Sequence, residues 1–241
     1  MIPILSVVIP CYNEEARFQE GFDHYYSYLK KQKYLWELIF INDGSSDRTL
    51  DLIKNQIKKR RQIKLITYFK NRGKGYAICQ GVKVAKGQYI LFSDLDHSVP
   101  IKTVEVFFKY FEQDFDVVIG SRRVEGAKIN VRQHPFREFL GRAFTLLVRF
   151  LVDWKIYDAT CGFKAFKNRT AQNIFSKIQI SSWAFDAEIL FLCKKFDIKL
   201  KQVPVTWSDV KGSKVSLKKD VLNSLKGLLK IYLNDFAGKY N

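Results

Sequence analysis

Leu38-Ile39-Phe40-Ile41-Asn42-Asp43-Gly44-Ser45-Ser46-Asp47 is an apolar run that stops abruptly in small, polar and acidic residues. Four consecutive apolar residues without alternation predict a strand buried on both faces, the habit of a parallel sheet. The pattern recurs. Apolar runs at residues 4–9, 63–68, 89–92 and 117–119 alternate with stretches of helical length at 14–31, 46–60, 75–86 and 100–112. Ser46 stands where an N-cap is expected and Pro100 where a first-turn proline is expected. This alternation predicts an α/β fold: an open, mostly parallel, Rossmann-like sheet flanked by helices, with ligands at the carboxyl ends of its strands.

Beyond Gly120 the pattern loosens into a basic loop at 121–132, a helix at 136–152, a strand at 162–166, a helix at 183–195, a strand at 198–207 and a last helix at 216–236. No Pro-, Gly- or Ser-rich linker separates the halves, so one domain over residues 1–241 is expected.

Composition narrows the function. The 241 residues carry 41 Lys plus Arg against 24 Asp plus Glu, a net charge of +17, and 47% are hydrophobic. That excludes a disordered basic tail and implies an anionic partner: nucleic acid, a membrane surface or a phosphorylated small molecule. The cysteines Cys11, Cys79, Cys161 and Cys193 form no Cys-x-x-Cys pair, which argues against a zinc site or a disulfide framework. Met1 leads straight into a strand-like run without the features of a secretory signal, and no window approaches the roughly 18 apolar residues of a spanning helix. A cytoplasmic setting is expected.

Three strand ends carry polar signatures: Pro10-Cys11-Tyr12-Asn13-Glu14, the Asn42–Asp47 stretch quoted above, and Ser93-Asp94-Leu95-Asp96-His97-Ser98. Each alone reads as a helix-capping turn; three on successive strands point to a site. Asp94 and Asp96, one residue apart at a strand tip, suit a divalent ion that prefers oxygen ligands, Mg2+ or Mn2+. Asn71-Arg72-Gly73-Lys74-Gly75 lacks P-loop spacing, though Lys74 is placed to reach a nucleotide phosphate. His97 is a candidate to orient a phosphate, whereas His24 and His134 read as surface or loop positions.

These motifs resemble the family 2 glycosyltransferases, nucleotide-sugar enzymes of the GT-A fold. Gly120-Ser121-Arg122, Asp158-Ala159-Thr160-Cys161-Gly162-Phe163-Lys164-Ala165-Phe166, Trp183-Ala184-Phe185-Asp186-Ala187-Glu188, Val203-Pro204-Val205-Thr206-Trp207 and Gly212-Ser213-Lys214 are similar to the dolichyl-phosphate glucosyltransferases and their polyprenyl-phosphate relatives. The resemblance implies that Pro10, Tyr12, Glu14 and Asp43 hold the nucleoside, that Asp94 and Asp96 hold the metal and diphosphate, and that Arg122, Arg137 and Lys214 face an acceptor phosphate. It divides the chain into a nucleotide-sugar half, 1–120, and an acceptor and membrane-facing half, 121–241. Two departures stand out: Leu95 occupies a position where alanine is usual, and the N-terminal anchor of the eukaryotic members is not seen here.

The chemistry agrees with a lipid-phosphate acceptor. A phosphate monoester is already anionic at pH 7 and needs cations rather than a base, and Arg122, Arg123, Arg137, Arg142 and Lys214 supply them. A sugar-hydroxyl acceptor instead needs a carboxylate base, for which Asp158 and Asp186 are the candidates; their alternative roles are ordering a turn and pairing with a cation. On the last helix Leu217, Val221, Leu225, Leu228 and Tyr232 share a face with Leu222, Leu229 and Leu233 beside it and lysines at its edge. The 136–152 helix has a narrow polar stripe of Glu138, Arg142, Thr145 and Arg149. Both predict C-terminal amphipathic helices and peripheral contact with an anionic membrane. The expected activity is inverting transfer of a hexose, glucose foremost, from a UDP-sugar to a polyprenyl or dolichyl phosphate. A nucleic-acid-binding module is the reading from another class, and strand-end carboxylates that repel a polyanion count against it.

Overall fold

The computed structural model describes residues 2–58, 60–210 and 217–241, with side chains of the last segment from residue 223 onward. The apolar runs become strands β1 (Leu5–Cys11), β2 (Trp36–Asp43), β3 (Ile63–Tyr68), β4 (Tyr89–Phe92) and β5 (Val117–Ser121). Between them lie helices α1 (Phe18–Leu29), α2 (Thr49–Ile57), α3 (Lys74–Val84) and α4 (Val104–Glu112). The second half adds β6 (Lys128–Val131), α5 (Pro135–Leu151), β7 (Lys164–Lys167), α6 (Asn168–Lys177), α7 (Phe185–Lys195), β8 (Leu200–Pro204), β9 (Thr206–Ser208) and α8 (Leu217–Phe236). Seven strands form one sheet in the order β3-β2-β1-β4-β7-β5-β8, and β6 pairs with β9 in a separate ribbon. The large sheet is parallel except at β7, which runs antiparallel to both β4 and β5.

Alternate side chains of each inner strand leave by opposite faces, which is why the runs are continuously apolar. Val8, Ile39, Ile41 and Phe92 pack with α3, α6 and α7 on one face; Val7, Ile9, Leu38 and Phe40 pack with α1 and α4 on the other. Parallel register brings Leu5 opposite both Trp36 and Tyr89, so β1, β2 and β4 end side by side. The antiparallel β7 completes that edge from the other direction. Phe92 pairs with Lys164, so the loop entering β7 meets the loop leaving β4.

Beyond small shifts at the ends of elements, the structure departs from the sequence pattern in five places. Helix α2 begins at Thr49 rather than at Ser46, and Ser46 donates its N–H to Asn13 Oδ1 at 2.8 Å instead of capping. Pro100 precedes a short 3-10 turn, Ile101–Thr103, and α4 starts after it. The loop at 121–132 contains β6, whose side chains are all exposed and leave no apolar pattern to read. The strand expected over 198–207 is two, because β8 leaves the main sheet at Pro204 and β9 turns to pair with β6. Helix α6 follows β7 without a turn residue and was hidden by its mostly polar surface; only Ala171, Ile174 and Phe175 are buried.

Candidate active site

The tips of β1 and β2 are tied together by local hydrogen bonds. Asn13, in the left-handed region at φ 53° that asparagine tolerates, donates its N–H to Ser45 Oγ at 3.0 Å. The Glu14 N–H donates to Thr49 Oγ1 at 2.7 Å. Asp43, 3% exposed, accepts the Arg72 N–H at 2.8 Å, the Gly73 N–H at 3.0 Å and Asn71 Nδ2 at 3.0 Å, and so holds the loop that starts α3. The glycines of that loop serve close packing: a Cβ on Gly73 would lie 2.5 Å from the Ser181 carbonyl oxygen, and one on Gly75 2.6 Å from that of Ile180.

This packing sets Lys74 beside the acidic pair. Its Nζ lies 2.5 Å from Asp94 Oδ1, while Asp96 accepts the Ser98 N–H at 3.1 Å. Arg17 forks onto Glu14 and comes within 3.8 Å of Asp96 Oδ2. Burial, then the neighbouring charge of Asp94, pushes the Asp96 carboxyl above its usual range. Such a pair favours added positive charge. Gly162, delivered by the antiparallel β7, makes the approach possible, since a Cβ there would lie 2.1 Å from Asp94 Oδ2.

A second cluster lies past the tip of β5. Arg122 donates from Nε to Asp158 Oδ2 at 2.7 Å, from Nη2 to Asp158 Oδ1 at 2.8 Å, and from Nη2 to Thr160 Oγ1 at 2.8 Å. Burial alone would raise the Asp158 carboxyl, but the Arg122 charge overrides it and holds Asp158 well below the usual carboxylate range. Asp186 pairs with Lys164, a fully buried ammonium that also donates to the Cys161 carbonyl at 2.6 Å. Both candidate bases are therefore counter-ions of buried cations.

One cleft of about 200 Å³ gathers these groups. Tyr12, Asp43, Lys74, Asp94, Asp96 and Arg122 line it, and Pro10, Glu14 and Arg137 border it. Lys214 lies outside the described residues. His97 does not reach the cleft. Its ring stacks on His24 with centroids 4.7 Å apart and its Nε2 lies 3.4 Å from Glu20, so the expected phosphate contact is replaced by packing under α1. His24 is half-buried rather than free on the surface: its Nε2 accepts the Ile101 N–H at 3.0 Å, and burial with His97 nearby lowers its pKa to about 4. His134 caps α5 by accepting the Phe136 N–H. Sequence reading missed Arg17, Trp183 and Trp207 as cleft residues. Arg17 had a signal in its three-residue spacing from Glu14 on the lead into a helix; the tryptophans reach the cleft only through the tertiary fold.

Asp94 and Asp96 offer oxygen donors only, and no cluster of three or more His, Cys, Asp or Glu suited to a metal occurs among the described residues. A cation held here takes its remaining ligands from substrate and water, which fits Mg2+ or Mn2+. No helix among the described residues is long and apolar enough to cross a membrane.

A cleft at the acidic strand tips of a seven-stranded, mostly parallel sheet is the architecture of the GT-A fold. The chain belongs to glycosyl transferase family 2, whose model matches residues 6–175. It is related to the dolichyl-phosphate beta-glucosyltransferase of Dictyostelium discoideum, 33% identical over 97% of this chain and 75% of that protein. The human protein of the same name is 34% identical over 98% of this chain and 77% of its own length. Glucosyl-3-phosphoglycerate synthase from Mycobacterium tuberculosis, solved with Mn2+, UDP and glucosyl-3-phosphoglycerate, aligns with a TM-score of 0.67 at 17% identity, covering 95% of this chain and 80% of that one. A mannosyltransferase from Pyrobaculum calidifontis, solved with GDP-Man and Mn2+, gives 0.56 at 16% identity over 89% and 59%. At such identities the likeness establishes the fold.

Proposed function

We propose that this glycosyltransferase moves a hexose, glucose foremost, from a UDP-sugar to the phosphate of a polyprenyl or dolichyl lipid, with inversion, as a peripheral protein on the cytoplasmic face of a membrane. Residues 1–120 form the donor half and 121–241 the acceptor and membrane-facing half of one domain. The observation that carries this reading is α5. The helix turns Thr145 and Val148 into the protein and leaves Phe136, Phe139, Leu146 and Phe150 more than half exposed, beside arginines that border the donor cleft. An aromatic face turned to water is costly unless a lipid phase covers it. The names of the relatives point the same way.

Pro10, Tyr12, Glu14 and Asp43 surround the nucleoside, and Lys74 meets the diphosphate. Asp94 and Asp96 would hold Mg2+ or Mn2+, whose charge would stabilise the departing diphosphate. The acceptor phosphate attacks as an anion and gives up no proton, so the pairing of Asp158 and Asp186 with Arg122 and Lys164 leaves the reaction without a missing base. Attack opposite the leaving diphosphate inverts the anomeric carbon. The test incubates the protein with radiolabelled UDP-glucose, Mg2+ or Mn2+, and polyprenyl phosphate or polyprenol in vesicles. Label in the lipid fraction with the phosphate alone is expected; equal transfer to polyprenol, or transfer to a soluble sugar instead, sinks the reading.

A further inference from the structure

Glu188 stands on α7 two residues beyond Asp186, is fully buried and does not line the cleft. Its carboxylate gathers donors from two segments distant in sequence. The Gln179 N–H reaches Oε1 at 3.0 Å and the Ile180 N–H reaches Oε2 at 2.9 Å, while the Tyr240 hydroxyl also donates to Oε1. Burial pushes this carboxyl above its usual range, and the Tyr240 hydroxyl is the largest of the contacts that draw it back. A carboxylate in such a place is costly unless its lone pairs are met, and here the backbone of one loop meets most of them.

That loop is the one packed against Lys74. The Ser181 carbonyl accepts the Gly75 N–H at 2.9 Å, and the close approach of Ile180 and Ser181 leaves no room for a side chain at Gly73 or Gly75. Two residues on, Trp183 lines the cleft with its ring 5.2 Å from Lys74 Nζ. Tyr240 holds the other end. Gly238, in the left-handed region at φ 69°, turns the chain back after α8, and Tyr240 is fully buried, its ring against Phe191 and its carbonyl accepting Lys177 Nζ at 2.9 Å. Direct contacts therefore run from Tyr240 through Glu188 and the 179–183 loop to Lys74.

We propose that Glu188 is a positioning residue for the donor: it fixes the 179–183 loop, the loop fixes the turn that carries Lys74, and Tyr240 keeps the Glu188 carboxylate in place. The proposal rests on the reading of Lys74 as the cation that meets the donor diphosphate, and deepens it. A lysine between two glycines has no neighbouring side chain to hold its backbone, so its aim is set by the loop packed against it. A carboxylate serving the fold alone would leave donor affinity untouched in a variant that still folds.

The experiment measures UDP binding by calorimetry with Mn2+ present, and thermal midpoints, for the wild type, Glu188→Gln, Tyr240→Phe, Lys74→Met and each of the first two variants combined with Lys74→Met. Gln has one acceptor oxygen where Glu has two, so a loop N–H loses its partner. Glu188→Gln is expected to weaken UDP binding about tenfold, the size of a lost charge-assisted hydrogen bond. Tyr240→Phe keeps the ring in place and should weaken binding less, about threefold, with folding retained. In the Lys74→Met background either substitution should add less than about twofold, because the loop acts through a lysine that is already gone. Wild-type UDP affinity in Glu188→Gln and Tyr240→Phe, or losses that recur undiminished in the Lys74→Met background, overturns the positioning role alone. UDP affinity unchanged by Lys74→Met, or a wild-type protein that binds no UDP, overturns the donor reading and the role with it.

Discussion

Asp96 shares the strand tip with Asp94 and has Arg17 within 3.8 Å as its counter-charge. Asp96→Asn is expected to abolish sugar transfer with the melting temperature held, and an active variant would sink the metal assignment. Gly162→Ala forces a Cβ into Asp94 at 2.1 Å, and a carboxylate displaced by about 1 Å should cost about a hundredfold in kcat with little loss of stability. Asp158→Asn separates counter-ion from base: removing one partner of a buried pair is expected to cost about 3–5 kcal/mol in urea unfolding, while the residual activity keeps the wild-type pH profile. A lost limb in that profile would restore Asp158 as the base. His24 provides a pH test. Its folded pKa of about 4 lies below the ordinary 6.5, so the unfolded chain takes up the proton first. Stability from this group is full above about pH 6.5 and is lost as pH falls toward about 4, and His24→Gln should flatten that part of the stability curve. The strand-tip carboxylates were legible in sequence because each follows an apolar run. The pairing of Arg122 with Asp158 was not, since 36 residues separate them and only β7 and β5 lying side by side bring them together.

At the level of elements, the helical periodicity of α8 was legible but its orientation was not. Leu228 and Ile231 are buried, whereas Leu229, Leu233 and Phe236 are exposed, so the apolar surface divides between core and solvent instead of forming the one face expected. Gly227 decides this, because a Cβ there would lie 2.4 Å from Ala184 Cβ and push α8 off the start of α7. On α5 the polar stripe expected from Glu138, Arg142, Thr145 and Arg149 does not face solvent throughout, because Thr145 is turned inward. Phe139→Ser combined with Phe150→Ser should therefore weaken sedimentation with anionic vesicles several-fold and leave the melting temperature nearly unchanged, because neither ring packs in the core. A large fall in melting temperature instead would mean that the rings serve folding.

Over the whole molecule, the charge of +17 is unevenly used. Lys74, Arg17, Arg122 and Lys164 are matched with carboxylates at or near the cleft, whereas exposed lysines such as Lys102 and Lys128 have no ion pair among the described residues. Vesicle binding is expected to fall steeply with added salt, while UDP-sugar affinity, set in the partly buried cleft, should change far less. Equal salt sensitivity of both would assign the excess charge to the donor. The sequence by itself determined the first five strands, their alternation with helices and the acidic tips, because burial on two faces and a sharp stop in polar residues leave a local pattern in the chain. Only the tertiary structure decided the antiparallel insertion of β7 and the pairing of Arg122 with Asp158 and of Lys164 with Asp186. Those depend on which distant segments meet, and contacts between residues far apart in sequence leave no periodicity to read.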